Sequence, residues 1–170
     1  AATGFGSVIS EMLSTISRQI IILHAVRPLN TIRRIHVMVP LKANKEEGFV
    51  RWLNHVLRLG RQLDCLIVFY CDEESWVRIH KRWSQHYGKV KVRHQQFAAY
   101  SEMVALKHTI DESHLVVFIA SRSGAPSYHP TMMNLPSIVG RHFTDNSVMI
   151  IYPDQYGIEK RLTAFNTGLK

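Results

Sequence analysis

Short apolar runs rich in valine and isoleucine alternate with helical patterns along most of this chain. Runs of this kind are typical of strands buried on both faces, the environment that a parallel sheet provides. Strands that alternate with helices also tend to pair in parallel, so the pattern predicts an α/β fold. The predicted strands cover residues 19–24, 34–39, 65–70, 90–94, 115–120 and 148–152.

Helices are predicted between the later strands. Asn44 followed by Glu47 resembles a capping box that would begin the first helix, and Asp72 can cap the second. The third helix is predicted over roughly 100–110, and the fourth near Pro136, because proline is favoured in a first helical turn. This order predicts a doubly wound, mainly parallel five-stranded sheet with helices on both faces, a Rossmann-like arrangement.

The sequence divides the chain into four segments. Residues 1–27 predict a helix and a strand without a partner sheet, and Pro28 opens a short linker at 28–31, because proline interrupts ladder hydrogen bonding. Residues 32–153 contain the five strands and their helices, and 154–170 form a polar C-terminal tail. We therefore expect one complete α/β domain that follows a separate helix and strand.

Composition argues against several classes of function. No apolar stretch reaches the roughly 18 residues that a membrane-spanning helix needs, so we expect a water-soluble domain. The net charge of +8 is spread over helices without an RNA-binding motif, which argues against nucleic acid and leaves contact with an anionic membrane surface open. Cys65 and Cys71 lie at opposite ends of one predicted strand, too far apart to bond, and two free thiols are typical of a reducing compartment.

Several short phrases carry a resemblance to a known family. They are PLNT at 28–31, GFVRWL at 48–53, SRSGAPSYHP at 121–130, DNS at 145–147 and IYP at 151–153. Together they resemble the cytosolic C-terminal region of monovalent cation:proton (Na+/H+ or K+/H+) antiporters of Bacteroidetes-type bacteria. In that family two universal-stress-protein-like repeats follow a membrane transport domain, and the resemblance covers nearly the whole chain.

The resemblance implies a role in ion transport without catalysis by this chain. Residues 1–27 would be the terminal helix and edge strand of a preceding repeat, with Gly6 and Ser7 similar to the end of its nucleotide loop. Residues 32–153 would be a complete universal-stress-like domain with a regulatory or scaffolding role on the cytoplasmic side of the inner membrane. The implied partners are the transport domain of the same polypeptide and a second copy of the chain, because an isolated edge strand recruits another strand.

Two loops form the candidate ligand site, because an open parallel sheet binds ligands beyond the carboxyl ends of its strands. One loop, 41–46, contains Lys42, and the other, 121–131, offers several groups suited to an anion. These groups are the side chains of Ser121, Arg122, Ser123, Ser127 and His129 and the backbone amides near Gly124.

The same loops depart from the pattern of ATP-binding stress proteins. Those proteins carry an acidic residue after the first strand and a glycine-spaced phosphate loop. Here Leu41 and Lys42 occupy the first place, and no glycine lies between Gly124 and Gly140. We therefore expect a packed structural loop and no cofactor, with a free-standing stress protein that binds ATP or AMP as the alternative.

Other chemistry has less support from residue spacing. Ser121 and His129 could form a nucleophile and its base, which leaves a small hydrolase as a further alternative, but no glycine-serine-glycine elbow is present. The histidine spacing gives no metal signature, so no metal site is expected. Because histidines change charge between about pH 5 and 8, a cytosolic pH sensor is a further hypothesis. Its candidates are His24, His36, His55, His108, His114, His129 and His142.

Overall fold

The structure, a computed structural model, describes residues 8–155 except 10, 14 and 98–101. Its strands are β1 (Ile20–His24), β2 (Arg34–Met38), β3 (Leu66–Cys71), β4 (Val92–Gln96), β5 (His114–Ile119) and β6 (Ser147–Tyr152). Its longer helices are α1 (Phe49–Leu63), α2 (Glu73–His86) and α3 (Leu135–His142). Every strand lies within two residues of its predicted bounds, although β1 and β4 at the two edges of the sheet are largely exposed.

The strands form one six-stranded sheet in the order β1-β6-β5-β2-β3-β4. Strands β2 to β6 are parallel to their neighbours, whereas β1 runs antiparallel to β6. The predicted α/β fold with a mainly parallel sheet is therefore confirmed. The expected number of five strands is wrong, because β1 joins the same sheet.

Strand β1 is fixed to β6 along its whole length and beyond both ends. Ile20 lies opposite Tyr152 and His24 opposite Val148. The Gln19 amide donates to Asp154 at 2.8 Å, and the Val26 amide donates to the Ser147 hydroxyl at 3.0 Å. The sequence predicted a strand here, but an apolar run does not specify its partner, so the prediction that this strand lacks a partner sheet is wrong.

Two apolar cores cover the two faces of the sheet. Helices α1 and α2 cover one face, where alternate strand residues pack on α1, among them Ile35, Val37, Phe69 and Val117 against Trp52, Leu53 and Leu57. Helix α3 and residues that flank β4 and β5 cover the other face, among them Phe97, Met103, Leu135 and Phe143. The alternation follows from the two-residue period of strands, which sends successive side chains to opposite faces.

Helix boundaries agree with the sequence in part. Asp72 caps α2 by accepting a hydrogen bond from the Ser75 amide at 3.1 Å, as predicted. Helix α3 begins at Leu135, next to the predicted Pro136. The capping box at Asn44 is wrong: residues 43–45 form a separate 3-10 turn after the left-handed Lys42, and α1 begins only at Phe49.

The helix predicted over roughly 100–110 is also different in the structure. Ala105–Thr109 form a 3-10 helix, and residues 98–101 lie outside the described chain. The Thr109 hydroxyl donates to the Leu106 carbonyl at 2.8 Å, a local bond of the kind that competes with regular helix. Leu106 and Ile110 still pack on the second core. The predicted apolar face is therefore right, and the predicted helix type is wrong.

Both cysteines are free and buried, in agreement with the sequence. Burial raises the pKa of Cys65 to about 11 and that of Cys71 to about 12, so both stay protonated and unreactive near neutral pH. Within the described part of the chain, no helix has both the length and the apolar character to cross a lipid bilayer.

Gly48→Ala is expected to destabilise the fold by about 1–3 kcal/mol, because overpacking forces neighbouring groups apart. A Cβ at Gly48 would lie 2.6 Å from the Asp154 nitrogen and 2.8 Å from the Pro153 Cβ. Urea unfolding followed by circular dichroism measures the change. The matched control is Gly140→Ala in α3, where an added Cβ meets nothing within 4 Å and the helix gains up to about 1 kcal/mol. Equal stabilities of the two variants would contradict the close approach at Gly48.

Candidate functional site

The carboxyl ends of β2 and β5 mark the place where a doubly wound sheet usually binds its ligand. These neighbouring strands are the point at which the winding direction reverses, since β3 follows β2 on one side and β6 follows β5 on the other. The loops at 41–46 and 121–131 leave the sheet there, as the sequence predicted. We refer to the space between them as the switch-point crevice.

A carboxylate of the protein itself binds one residue of the second loop, Ser127. Glu46 Oε1 accepts hydrogen bonds from the Ser127 amide at 2.8 Å and from the Ser127 hydroxyl at 2.6 Å. Gly124 has a φ of 88°, which lets the loop turn back toward Glu46, as glycine tolerates this region. The anion that the loop was expected to attract is therefore supplied from within the chain.

Arg122 points into the protein and not toward solvent. Its side chain is buried at 5% exposure, and its guanidinium donates to the carbonyl of Ile16 and, at 2.7 Å, to that of Arg18. Burial lowers the pKa of Arg122, and the negative charge of Asp154 opposes that shift. The residue thus holds the backbone that leads into β1, a role that its position in a loop does not reveal.

Asp154 completes this junction from the other side. It is 3% exposed, accepts from the Gln19 amide at 2.8 Å and lies 3.2 Å from the Arg51 guanidinium of α1. The next residue, Gln155, donates its amide to the Ser17 carbonyl at 2.8 Å. A buried carboxylate needs such partners, because an unpaired one would lose its hydration without compensation.

These contacts leave little free space in the switch-point crevice. The cavity beside Glu46, Arg122 and Asp154 has a volume of about 10 Å³. That is about the space for a single water molecule, whereas pockets for small molecules measure roughly 300–1,000 Å³. This part of the crevice is therefore a packed junction between residues 16–19, the loop at 121–127 and the segment after β6.

Of the remaining candidate residues that the structure describes, Ser121 lines the same cavity and the others are exposed. Lys42 is exposed, as are Ser123, Gly124 and His129. Ser121 is buried and donates to the Met132 sulfur at 3.1 Å, whereas His129 Nδ1 accepts from the Thr131 amide at 3.2 Å. Ser121 and His129 are thus engaged with different partners. Gly6 and Ser7 lie outside the described residues.

An open apolar groove lies elsewhere, between α1 and the pair of strands β1 and β6. It has a volume of about 250 Å³ and is lined by Ile21, His55, Val56, Arg58, Leu59, Gln62, Met149 and Ile151. Ile21 and Leu23 of β1 are both exposed beside it. The sequence did not identify this groove, because it forms only where β1 pairs with β6.

A buried polar chain on the α3 face was also missed. Tyr70 Oη lies 2.9 Å from His36 Nδ1, and His36 Nε2 lies 2.9 Å from His114 Nδ1. The Asp111 amide donates to the same His114 Nδ1 at 3.1 Å. His36 and His114 were two of seven candidate pH sensors, and the signal that could have distinguished His36 is its place in the middle of an apolar strand.

His36 and His114 are both harder to protonate than a free imidazole. Burial, then the charges of His114 and Arg34, lower the pKa of His36 to about 3. Burial and Arg34 also lower the pKa of His114, against the opposing effect of Asp111. Both rings are therefore neutral at neutral pH.

His36 is expected to make the fold acid-sensitive. The depressed pKa of His36 stabilises the fold fully above about pH 6.5, and this contribution is lost as the pH falls toward 3. One pKa unit corresponds to about 1.4 kcal/mol, so His36 alone removes about 2 kcal/mol between about pH 7.5 and pH 5. Urea unfolding of wild type and His36→Gln across this range tests it. The variant should show a shallower pH dependence, and His129→Gln should keep the wild-type slope; equal slopes in all three would contradict this role of His36.

Comparison with known proteins identifies no relative of this chain. No protein-family model, no curated protein and no solved structure matches the chain. The closed switch-point crevice and the buried Tyr70–His36–His114 chain are therefore the observations from which a function has to be inferred.

Proposed function

We propose that this chain is a regulatory or scaffolding domain of a monovalent cation:proton antiporter, placed on the cytoplasmic side of the inner membrane. The observation that carries the proposal is the packed junction beside Glu46, Arg122 and Asp154, where the cavity among the described residues measures about 10 Å³, against the roughly 300–1,000 Å³ of small-molecule pockets. A domain of this fold that fills its own ligand site acts through its surfaces. The phrases at 28–31, 48–53 and 121–130 point to the antiporter family.

The direction of β1 supports the idea that residues 1–27 belong to a preceding repeat. A strand that follows its neighbour by a helical crossover enters a sheet in parallel, as β2 to β6 do. Strand β1 is instead antiparallel to the last strand, β6. Two α/β repeats related by a twofold axis would meet through antiparallel edge strands in this way.

The proposed partners follow from the surfaces that remain. The transport domain of the same polypeptide would carry the transport chemistry, so this domain needs no catalytic site. Strand β1 is the end strand of the sheet in the described chain, and its outer edge would pair with the rest of the preceding repeat or, where that repeat is lacking, with a second copy. The net charge of +8 favours contact with an anionic membrane surface, and its spread over several helices argues against nucleic acid.

The genomic context and transport activity test the proposal together. The reading frame upstream of this domain should encode about a dozen apolar helices of membrane-spanning length. The complete polypeptide should exchange a monovalent cation for protons in everted vesicles, measured with a pH-sensitive dye, and Gly48→Ala should alter the rate or its pH profile. Gly140→Ala is the matched control, because its Cβ meets no neighbour. A frame without such helices, or a transport profile unchanged by loss of the domain fold, would rule the proposal out.

Calorimetry with ATP and AMP separates this proposal from a free-standing stress protein. Neither nucleotide should give saturable heat up to millimolar concentration, because Glu46 and Arg122 already fill the crevice. Glu46→Ala serves as a second sample, since it removes the carboxylate that holds the Ser127 amide. Micromolar binding by the unaltered protein would favour the nucleotide-binding alternative, whereas binding by the variant alone would show that Glu46 blocks the site.

A further inference from the structure

The hydrogen atoms of the Tyr70–His36–His114 chain can be placed from its geometry. His114 Nδ1 accepts the Asp111 N–H at 3.1 Å, so this nitrogen carries no hydrogen. His36 Nε2, 2.9 Å from the same atom, must then carry one and donate it. A neutral His36 with hydrogen on Nε2 has a bare Nδ1, which accepts the Tyr70 hydroxyl at 2.9 Å. The two bonds within the chain therefore point from Tyr70 toward His114, and the Asp111 amide donates to the same end.

Burial and neighbouring charges determine whether His36 or His114 would bind an added proton. His36 is 1% exposed, whereas His114 lies at the start of β5 with partial exposure and near the Asp111 carboxylate. Arg34, which precedes His36 by two residues on β2, adds positive charge to the neighbourhood of both rings. Among the described residues, the ionisable groups that face the pair are thus Arg34, Tyr70 and Asp111, and His114 is the better site for the charge.

We propose that Tyr70, His36 and His114 form a proton relay whose hydrogen bonds reverse direction when the relay takes up one proton, and that this reversal breaks the hydrogen bond from the Asp111 amide to His114 Nδ1. Here "the relay" means these three side chains. It gives a structural basis to the pH sensing considered above, but only its physiological meaning depends on the antiporter proposal.

The reversal balances as the uptake of a single proton. The proton adds to the Tyr70 oxygen, the original Tyr70 proton moves to His36 Nδ1, and the proton on His36 Nε2 moves to His114 Nδ1. His36 changes tautomer and stays neutral, Tyr70 stays neutral, and His114 becomes the imidazolium. The Tyr70 hydroxyl can then turn to the side chain of Thr109, which already lies within hydrogen-bond reach. No bond other than N–H and O–H bonds changes.

The reversal leaves the backbone amide of Asp111 without its hydrogen-bond acceptor. His114 Nδ1 then carries a hydrogen, so it repels the Asp111 N–H that it accepted before. The turn at this point is also held by Asn146, whose side-chain amide donates to the Asp111 carbonyl at 2.7 Å. The neighbouring Glu112 pairs with Arg27 at 2.8 Å, directly after β1. Protonation of the relay therefore changes a hydrogen bond of Asp111, whose neighbour Glu112 contacts the connection between β1 and β2.

The tautomers of His36 and His114 in the unaltered chain test the relay directly. Long-range nitrogen-proton correlation spectra of the histidine rings are recorded from about pH 8 to about pH 4. We expect His36 to carry hydrogen on Nε2 at the upper end and to switch to Nδ1 with the same midpoint as His114 protonation. The Asp111 amide signal should move at that midpoint. The proposal is overturned if His36 keeps its Nε2 hydrogen, or becomes doubly protonated, while His114 titrates.

Tyr70→Phe removes the end of the relay and keeps its ring. His36 then has no acceptor for a hydrogen on Nδ1, so the midpoint of His114 should fall by about one pH unit, the equivalent of one hydrogen bond. Tyr87→Phe is the matched control, because Tyr87 is a buried tyrosine at the end of α2, outside the relay. An unchanged midpoint in Tyr70→Phe contradicts the relay, and if that variant does not fold, the spectra of the unaltered chain decide alone.

Discussion

The buried carboxylate of Asp154 is the contact on which the carboxyl edge of this sheet depends. It binds the Gln19 amide before β1 and the Arg51 guanidinium of α1, so one side chain joins three parts of the chain. The close approach of Gly48 to the Asp154 nitrogen keeps the start of α1 against the same segment. Because a desolvated charge is stable only with its partners in place, the arrangement is held as a unit.

The two ends of the sheet hold different arrangements of polar groups. At the carboxyl end, Arg122 and Glu46 turn inward, and their hydrogen bonds occupy the Arg122 guanidinium and the Ser127 amide. At the amino end of β5, His114 joins a buried polar chain that is complete only while both of its histidines are neutral. The first arrangement is fixed at any pH near neutrality, whereas the second can respond to a proton.

The two edge strands of the sheet also differ from each other. Strand β4 carries polar residues such as Arg93 and Gln95 along its exposed side, a pattern that discourages pairing with another chain. Strand β1 at the opposite edge exposes Ile21 and Leu23 and carries no Lys, Arg, Asp or Glu. An association surface is therefore expected at β1, close to the connection that the Arg27–Glu112 pair links to the relay.

The strands and the longer helices of this protein follow from local patterns in its sequence. The apolar runs, the buried face of α1 and the cap at Asp72 depend on residues a few positions apart, whose periodicity reflects burial directly. Local patterns do not show that β1 joins β6, that Arg122 faces inward or that His36 contacts His114, 78 residues away in the chain. Such contacts depend on strand order and on the packing of loops against one another, and neither is encoded in local periodicity.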